Sequence, residues 1–143
     1  MVNNYCKNIK SKRTQEFLRS APCANRNSNS YNQCQMNFID ILFELKTYKS
    51  DKSKEKLQQL CCGYIDSINC IRNAAVKALC DEKHIESNII LLKGFFEGAV
   101  NSLCGEYTEY TDKCDSVVRI KPNSYKNRPK SLFYPAVDVI SSL

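Results

Sequence analysis

The sequence predicts an all-α fold: a disulfide-stapled bundle of three to four helices with irregular basic N- and C-terminal flanks. Three observations carry this expectation. Nine cysteines fall within 143 residues, a density that marks a disulfide framework in a short chain. Three segments repeat apolar residues at helical spacing, with charges on the opposite side. Short polar turns containing capping residues separate those segments. At 43 % hydrophobic the chain can bury a modest core, and its length is that of one domain, a size at which covalent staples help.

Charge divides the chain into three stretches. Residues 1–33 hold six Lys/Arg against one acid, residues 34–114 ten against twelve, and residues 115–143 five against two. The expected organisation is a polar basic arm (1–33), a nearly neutral Cys-rich helical core (34–114) and a basic, Pro-containing tail (115–143).

In the arm, Phe17 and Leu18 permit a short helix over Thr14 to Ser20. The stretch Ala24-Asn25-Arg26-Asn27-Ser28-Asn29-Ser30 has the composition of a loop or disordered segment. Cys6 and Cys23 are placed to tie the arm to the core. A first core helix is expected from about Gln33 to Tyr48, because Phe38, Ile39, Leu42, Phe43 and Leu45 form an apolar stripe and Asp40, Glu44 and Lys46 lie outside it. Ser50 or Asp51 then caps a second helix, carried by Leu57, Leu60, Tyr64, Ile65, Ile68, Ile71, Ala75, Val76 and Leu79, with a bend or restart near Asp66-Ser67. Asp81 is a loop or cap residue. A third helix spans roughly Ile85 to Leu103 through Ile89, Leu92, Phe96, Val100 and Leu103, with Gly105 placed to end it. Beyond Glu106 the pattern weakens. Arg119–Lys130, with Pro122 and Pro129, reads as irregular, and the apolar run Leu132–Val137 as a segment able to dock back on the core.

Helix geometry makes the core cysteines informative. If the first two helices form an antiparallel hairpin turning near 48–49, position 34 lies opposite roughly position 63. A turn near 83 likewise sets position 104 opposite about 62. Adjacent helical residues point about 100° apart, so Cys61 and Cys62 can face two partners, one stapling Cys34 and the other Cys104. Each such bridge stabilises by about 2–4 kcal/mol, chiefly by restricting the unfolded chain. Cys70, Cys80, Cys114, Cys6 and Cys23 remain, with Cys70 and Cys80 paired together or with the flanks. The odd total leaves one cysteine free or joined to another chain, as in a disulfide-linked homodimer.

The run Cys62-x7-Cys70-x9-Cys80-x23-Cys104, with Tyr64 two residues after Cys62 and Ile71 after Cys70, resembles small secreted Cys-rich helical proteins of invertebrates, namely a nematode domain-of-unknown-function family and similar secreted proteins of arthropods. The resemblance covers about residues 34–114, and the doubled Cys61-Cys62 departs from the nematode pattern. It implies secretion and an α-helical fold, and it implies no reaction.

The cysteine usage points to an oxidising, extracellular compartment. The chain opens Met1-Val2-Asn3-Asn4-Tyr5 without the apolar stretch of a signal peptide. The expectation is therefore a chain that starts after a cleavage site with Met1 added, the alternative being an intracellular protein. No apolar run reaches bilayer-spanning length, and no Asn-x-Ser/Thr sequon occurs.

Catalytic chemistry finds little to work with. Structural zinc sites use Cys-x2–4-Cys knuckles, absent here, and His84 is the single histidine; no metal and no cofactor are expected. Cys80 and His84 could share a helical face, but nothing orients the imidazole as a catalytic base requires. Glu82, Glu86, Glu97, Glu106 and Glu109 sit in polar contexts as solvated charges. Gly94 and Gly98, flanking Phe95-Phe96-Glu97, suit close helix packing. The leading expectation is a secreted, non-enzymatic interaction protein (an effector, venom, salivary or matrix component) contacting an unidentified protein or a polyanion. Lys7, Lys10, Lys12, Arg13 and Arg19, with Lys121, Lys126, Arg128 and Lys130, are the candidate polyanion contacts, and Tyr125 and Tyr134 lie within or beside the second group. One alternative is a carrier of small apolar ligands walled by Leu92, Phe95, Phe96 and Val100. Another is an intracellular host-interacting protein with reduced thiols.

Overall fold

A computed structural model describes residues 10–94, 97–108, 110–122, 130–131 and 133–143, with the side chains of Ser50, Glu97, Val100, Phe133 and Tyr134 outside the description. Among these residues the fold is all-α, without strands. Six helices follow one another: α1 (Lys12–Arg26), α2 (Ser28–Leu45), α3 (Ser53–Lys77), α4 (Glu82–Gly94), α5 (Glu97–Leu103) and α6 (Phe133–Ser141), with a 3-10 turn at Ser50–Lys52. Two compact units share them. The first takes in Met1–Asn32 and Ile68–Ala99, the second Gln33–Ser67 and Val100–Leu143.

In the first unit, α1 begins at Ser11, whose hydroxyl accepts the Thr14 N–H at 3.2 Å and so satisfies an orphan donor of the first turn. The helix continues past Ser20 to Arg26, through Pro22. The expected loop at 24–30 is instead helical but for Asn27. That residue (φ −104°, ψ 11°) ends α1 with its N–H on Ala24 and Cys23 carbonyls, and its own carbonyl accepts from Tyr31 N–H at 2.9 Å as α2 begins. The reason is local: Asn and Ser side chains compete with backbone bonds, and here that competition is confined to Asn27, whose side-chain amide bonds the Cys23 carbonyl at 2.9 Å.

Helix α1 packs on α4. The unit buries Thr14, Ser20 and Cys23 from α1, Ile68, Ile71 and Ala75 from α3, and Ile85, Asn88 and Ile89 from α4. Arg72 pairs with Glu86 between α3 and α4. Helix α3 ends in a Schellman arrangement: Cys80 N–H bonds the Ala75 carbonyl and Leu79 N–H bonds that of Val76. Leu79 holds the left-handed position (φ 57°) that glycine normally takes. Asp81 then starts α4, its carboxylate accepting Lys83 N–H at 2.9 Å and its carbonyl accepting from His84 and Ile85.

In the second unit, α2 presents Phe38, Ile39, Leu42 and Leu45 and α3 presents Leu60, Cys61, Cys62 and Ile65 as buried residues. Gly63 suits close packing, since a Cβ there would stand 3.2 Å from the Phe38 ring, tighter than an ordinary contact, and 3.5 Å from Ile41 Cδ1. Helix α3 starts at Ser53, after the 3-10 turn, so Ser50 and Asp51 belong to that turn rather than capping α3. It runs unbroken through the expected bend at Asp66-Ser67. The third helix expected over 85–103 is found as α4 up to Gly94 and α5 from Glu97 to Leu103, and Phe95 and Phe96 between them lie outside the described residues.

The apolar run after Pro129 becomes α6, which buries Pro135, Ala136 and Val139. Its end is held by α3. Ser53 Oγ donates to the Leu143 carbonyl at 3.1 Å, and the buried Lys56 ammonium donates to Ser142 Oγ at 2.8 Å. Lys46 and Asp138 add an exposed ion pair at 2.9 Å. None of the described helices is long and apolar enough to cross a membrane.

Candidate functional site

Disulfide chemistry is the most developed local chemistry in the molecule. Cys61 bonds to Cys104 and Cys62 to Cys114, with Cα separations of 5.6 Å in both. Cys23 bonds to Cys80 across 57 residues of sequence, and Cys34 and Cys70 are also disulfide-bonded. Of the two residues that the mirror placement of the helices sets opposite Cys104, Cys61 is the one bonded to it. The expected staple from Cys34 to Cys61 or Cys62 is incorrect. The chain after Cys104 folds back along α3 and delivers Cys114 to Cys62. Mirror placement applies only to periodic helices, and this irregular return has no period to place it.

That return is pinned by directed bonds. Gln59 donates to the Val118 carbonyl at 2.7 Å and accepts Ile120 N–H at 3.1 Å. Arg119 bonds both carboxylate oxygens of Asp66, at 2.7 and 3.2 Å, and also donates to the Cys114 and Val117 carbonyls. Cys62, Ile65 and Cys114 form a buried cluster against which Tyr107 and Val117 pack. Lys113 bonds Glu106 at 2.8 Å. That hydrogen bond, then the charge of Lys113, holds the Glu106 carboxyl below the ordinary glutamate range. The same bond raises Lys113, against a smaller opposing effect of desolvation.

The Cys23–Cys80 bridge has different surroundings. An open cavity of about 470 Å³ in the first unit is lined by Arg72, Val76, Leu79, Cys80, Glu82, Ile85 and Glu86. Asn27 Nδ2 lies 3.3 Å from Cys80 Sγ and 3.7 Å from Cys23 Sγ, the Tyr31 hydroxyl 3.8 Å from Cys23 Sγ, and Arg26 Nη2 3.9 Å from Cys80 Sγ. Because Cys80 is oxidised here, it and His84 do not form a thiolate–imidazole pair.

The expected apolar wall is only partly visible. Leu92 is half-buried on α4, Phe95 and Phe96 lie outside the described residues, and so does the Val100 side chain. The cavity beside Cys80 lies elsewhere and carries charged residues on its wall. Of the candidate polyanion contacts, Lys121 and Lys130 are exposed, whereas Lys126 and Arg128, like Lys7 and Cys6, lie outside the described residues. Lys12, Arg13, Arg19 and Arg26 are all exposed on α1, which carries one acid, Glu16. Their shared element is not legible in the sequence, where the helix expected from about Thr14 to Ser20 leaves Lys12, Arg13 and Arg26 outside it. No group of three or more His, Cys, Asp or Glu among the described residues could hold a metal ion. No protein-family model matches the chain, and neither does any curated protein or solved structure.

Proposed function

We propose that the protein is a secreted, non-enzymatic interaction module that presents the basic surface of α1 to an acidic polymer outside the cell. The observation that carries the reading is the set of eight disulfide-bonded cysteines, since such bonds persist in oxidising compartments and are reduced in the cytosol. The binding half rests on α1: four exposed cations against one acid along fifteen residues, on a helix covalently held through Cys23. Charge of one sign fixed on one element concentrates polyanions by long-range attraction. Cys6 is the cysteine left to pair with a second copy, giving a disulfide-linked homodimer.

Two measurements test this. Thiol titration of protein from its source, denatured without reductant so that buried cysteines also react, should find at most one thiol per chain; eight or nine would favour the intracellular reading and remove this one. Heparin chromatography should show retention that weakens steeply with salt. The combined substitution Lys12→Glu, Arg13→Glu and Arg19→Glu should abolish it, and unchanged retention in that variant would refute α1 as the contact. A dimer band that vanishes with reductant and in Cys6→Ser is the expected outcome of a non-reducing gel.

A further inference from the structure

We infer that the Cys23–Cys80 bridge is a thiol–disulfide exchange site, in which a low-molecular-weight thiol enters the cavity beside α3, bonds to Cys80 and is guided there by Arg26. The two sulfurs are unequal. Cys23 is 2 % exposed, whereas Cys80 is half-buried and lines the cavity. Exchange requires access to the attacked sulfur and stabilisation of the departing one, and both are provided. Arg26, exposed and 3.9 Å from Cys80 Sγ, places a positive charge where the incoming thiolate arrives. The Tyr31 hydroxyl, 3.8 Å from Cys23 Sγ, is a donor for the sulfur that leaves, and Asn27 Nδ2 reaches both sulfurs, 3.3 Å from Cys80 Sγ and 3.7 Å from Cys23 Sγ.

The Cys61–Cys104 and Cys62–Cys114 bridges offer no such entry, since Cys61 and Cys62 are 0 % exposed, Cys104 4 % and Cys114 6 %, and the disulfide-bonded Cys70, half-buried like Cys80, does not line this cavity. Arg72 and Glu86 on the cavity wall neutralise each other as an ion pair, and Val76, Leu79 and Ile85 make much of the remainder apolar. Glu82 adds a negative charge, so the suited co-reactant is a small thiol without carboxylates.

The step balances. The thiolate sulfur forms a bond to Cys80 Sγ as the Cys23–Cys80 bond breaks. Its electron pair leaves on Cys23 Sγ, which takes a proton from water. One disulfide is exchanged for a mixed disulfide, with no net oxidation. A second thiol molecule attacking that mixed disulfide frees Cys80 and departs as the thiol's own disulfide.

The test uses β-mercaptoethanol as the probe on the intact, oxidised protein, with acid quenching, alkylation and peptide mass mapping over time. The first product should carry the mercaptoethanol adduct on Cys80 and an alkylated thiol on Cys23. Arg26→Gln, with its helical circular dichroism unchanged, should slow that step by about fivefold, the effect of one unit charge at roughly 4 Å in water. First opening at any other cysteine, an adduct on Cys23, or an unchanged rate in Arg26→Gln each overturns the inference. These failures are distinct from failure of the secreted reading, which shows itself earlier as free thiols before any reductant is added.

Discussion

Leu79 is the residue most at odds with its position. It is 90 % exposed and holds φ 57° at the end of α3, where a Cβ meets the following carbonyl at a cost of roughly 1–2 kcal/mol. Leu79→Gly should therefore stabilise the protein by about 1 kcal/mol, read as a higher denaturant midpoint with an unchanged slope. A fall in the midpoint would mean that Leu79 gains something from its surroundings that outweighs its backbone. The Glu106–Lys113 contact sets a second residue-scale expectation. Glu106 titrates lower in the folded chain, so its stabilising effect is present above the unfolded carboxyl range and is lost as pH falls through the lowered value. Lys113 titrates higher, so its effect is present below the unfolded amine range and is lost as pH rises through the raised value. Both are exposed, and the effect on stability is small. Carboxyl NMR should find Glu106 below an ordinary glutamate, and Lys113→Ala should return it there.

At the scale of elements, α6 shows which contacts hold a terminal helix. Val139 is fully buried, so Val139→Ala should cost about 2 kcal/mol through lost burial and the cavity left behind. Asp138, in an exposed pair with Lys46, should cost less than about 0.5 kcal/mol when changed to Ala. Chemical denaturation of the two variants side by side checks the contrast, and equal losses would contradict it. The apolar run 132–137 was legible as a docking segment. Its anchor on Ser53 and Lys56 was not, because those bonds span about ninety residues of sequence. Helices α2 and α3 were legible because Phe38, Ile39, Leu42, Leu60, Ile65 and Ile68 keep a period near 3.6. The helical path through 24–30 was hidden, since Asn-Ser composition reports competition for backbone bonds but not where that competition is won.

Across the molecule, the bridges from Cys61 and Cys62 cannot be counted separately. In sequence, Cys61–Cys104 interleaves with Cys62–Cys114. With Cys62–Cys114 closed, Cys61–Cys104 closes only a circuit of about a dozen residues, worth about 3 kcal/mol instead of about 4 for a loop of its full span. Replacing Cys61 and Cys104 by Ala should therefore cost less than then replacing Cys62 and Cys114 in that background. Urea titrations of the three species measure the difference; equal steps would place the stabilisation in local packing. The sequence carried half of this arrangement. Helical spacing set Cys104 opposite the Cys61–Cys62 pair without choosing between them, whereas Cys114 arrives on a stretch with no periodicity, where contacts such as Arg119–Asp66 and the packing of Tyr107 and Val117 define the path.

Neighbouring half-cystines on one helical turn also pose a problem during biosynthesis. An alternative isomer, with Cys61 joined to Cys114 and Cys62 to Cys104, uses the same four sulfurs and the same incoming segment, so it competes with the native pairing as a nascent chain oxidises. Choosing between them falls to the hydrophobic seat under Tyr107 and Val117 and to the Gln59 and Arg119 clasps. Loosening those clasps would yield a correctly sized, fully oxidised, yet miswired product.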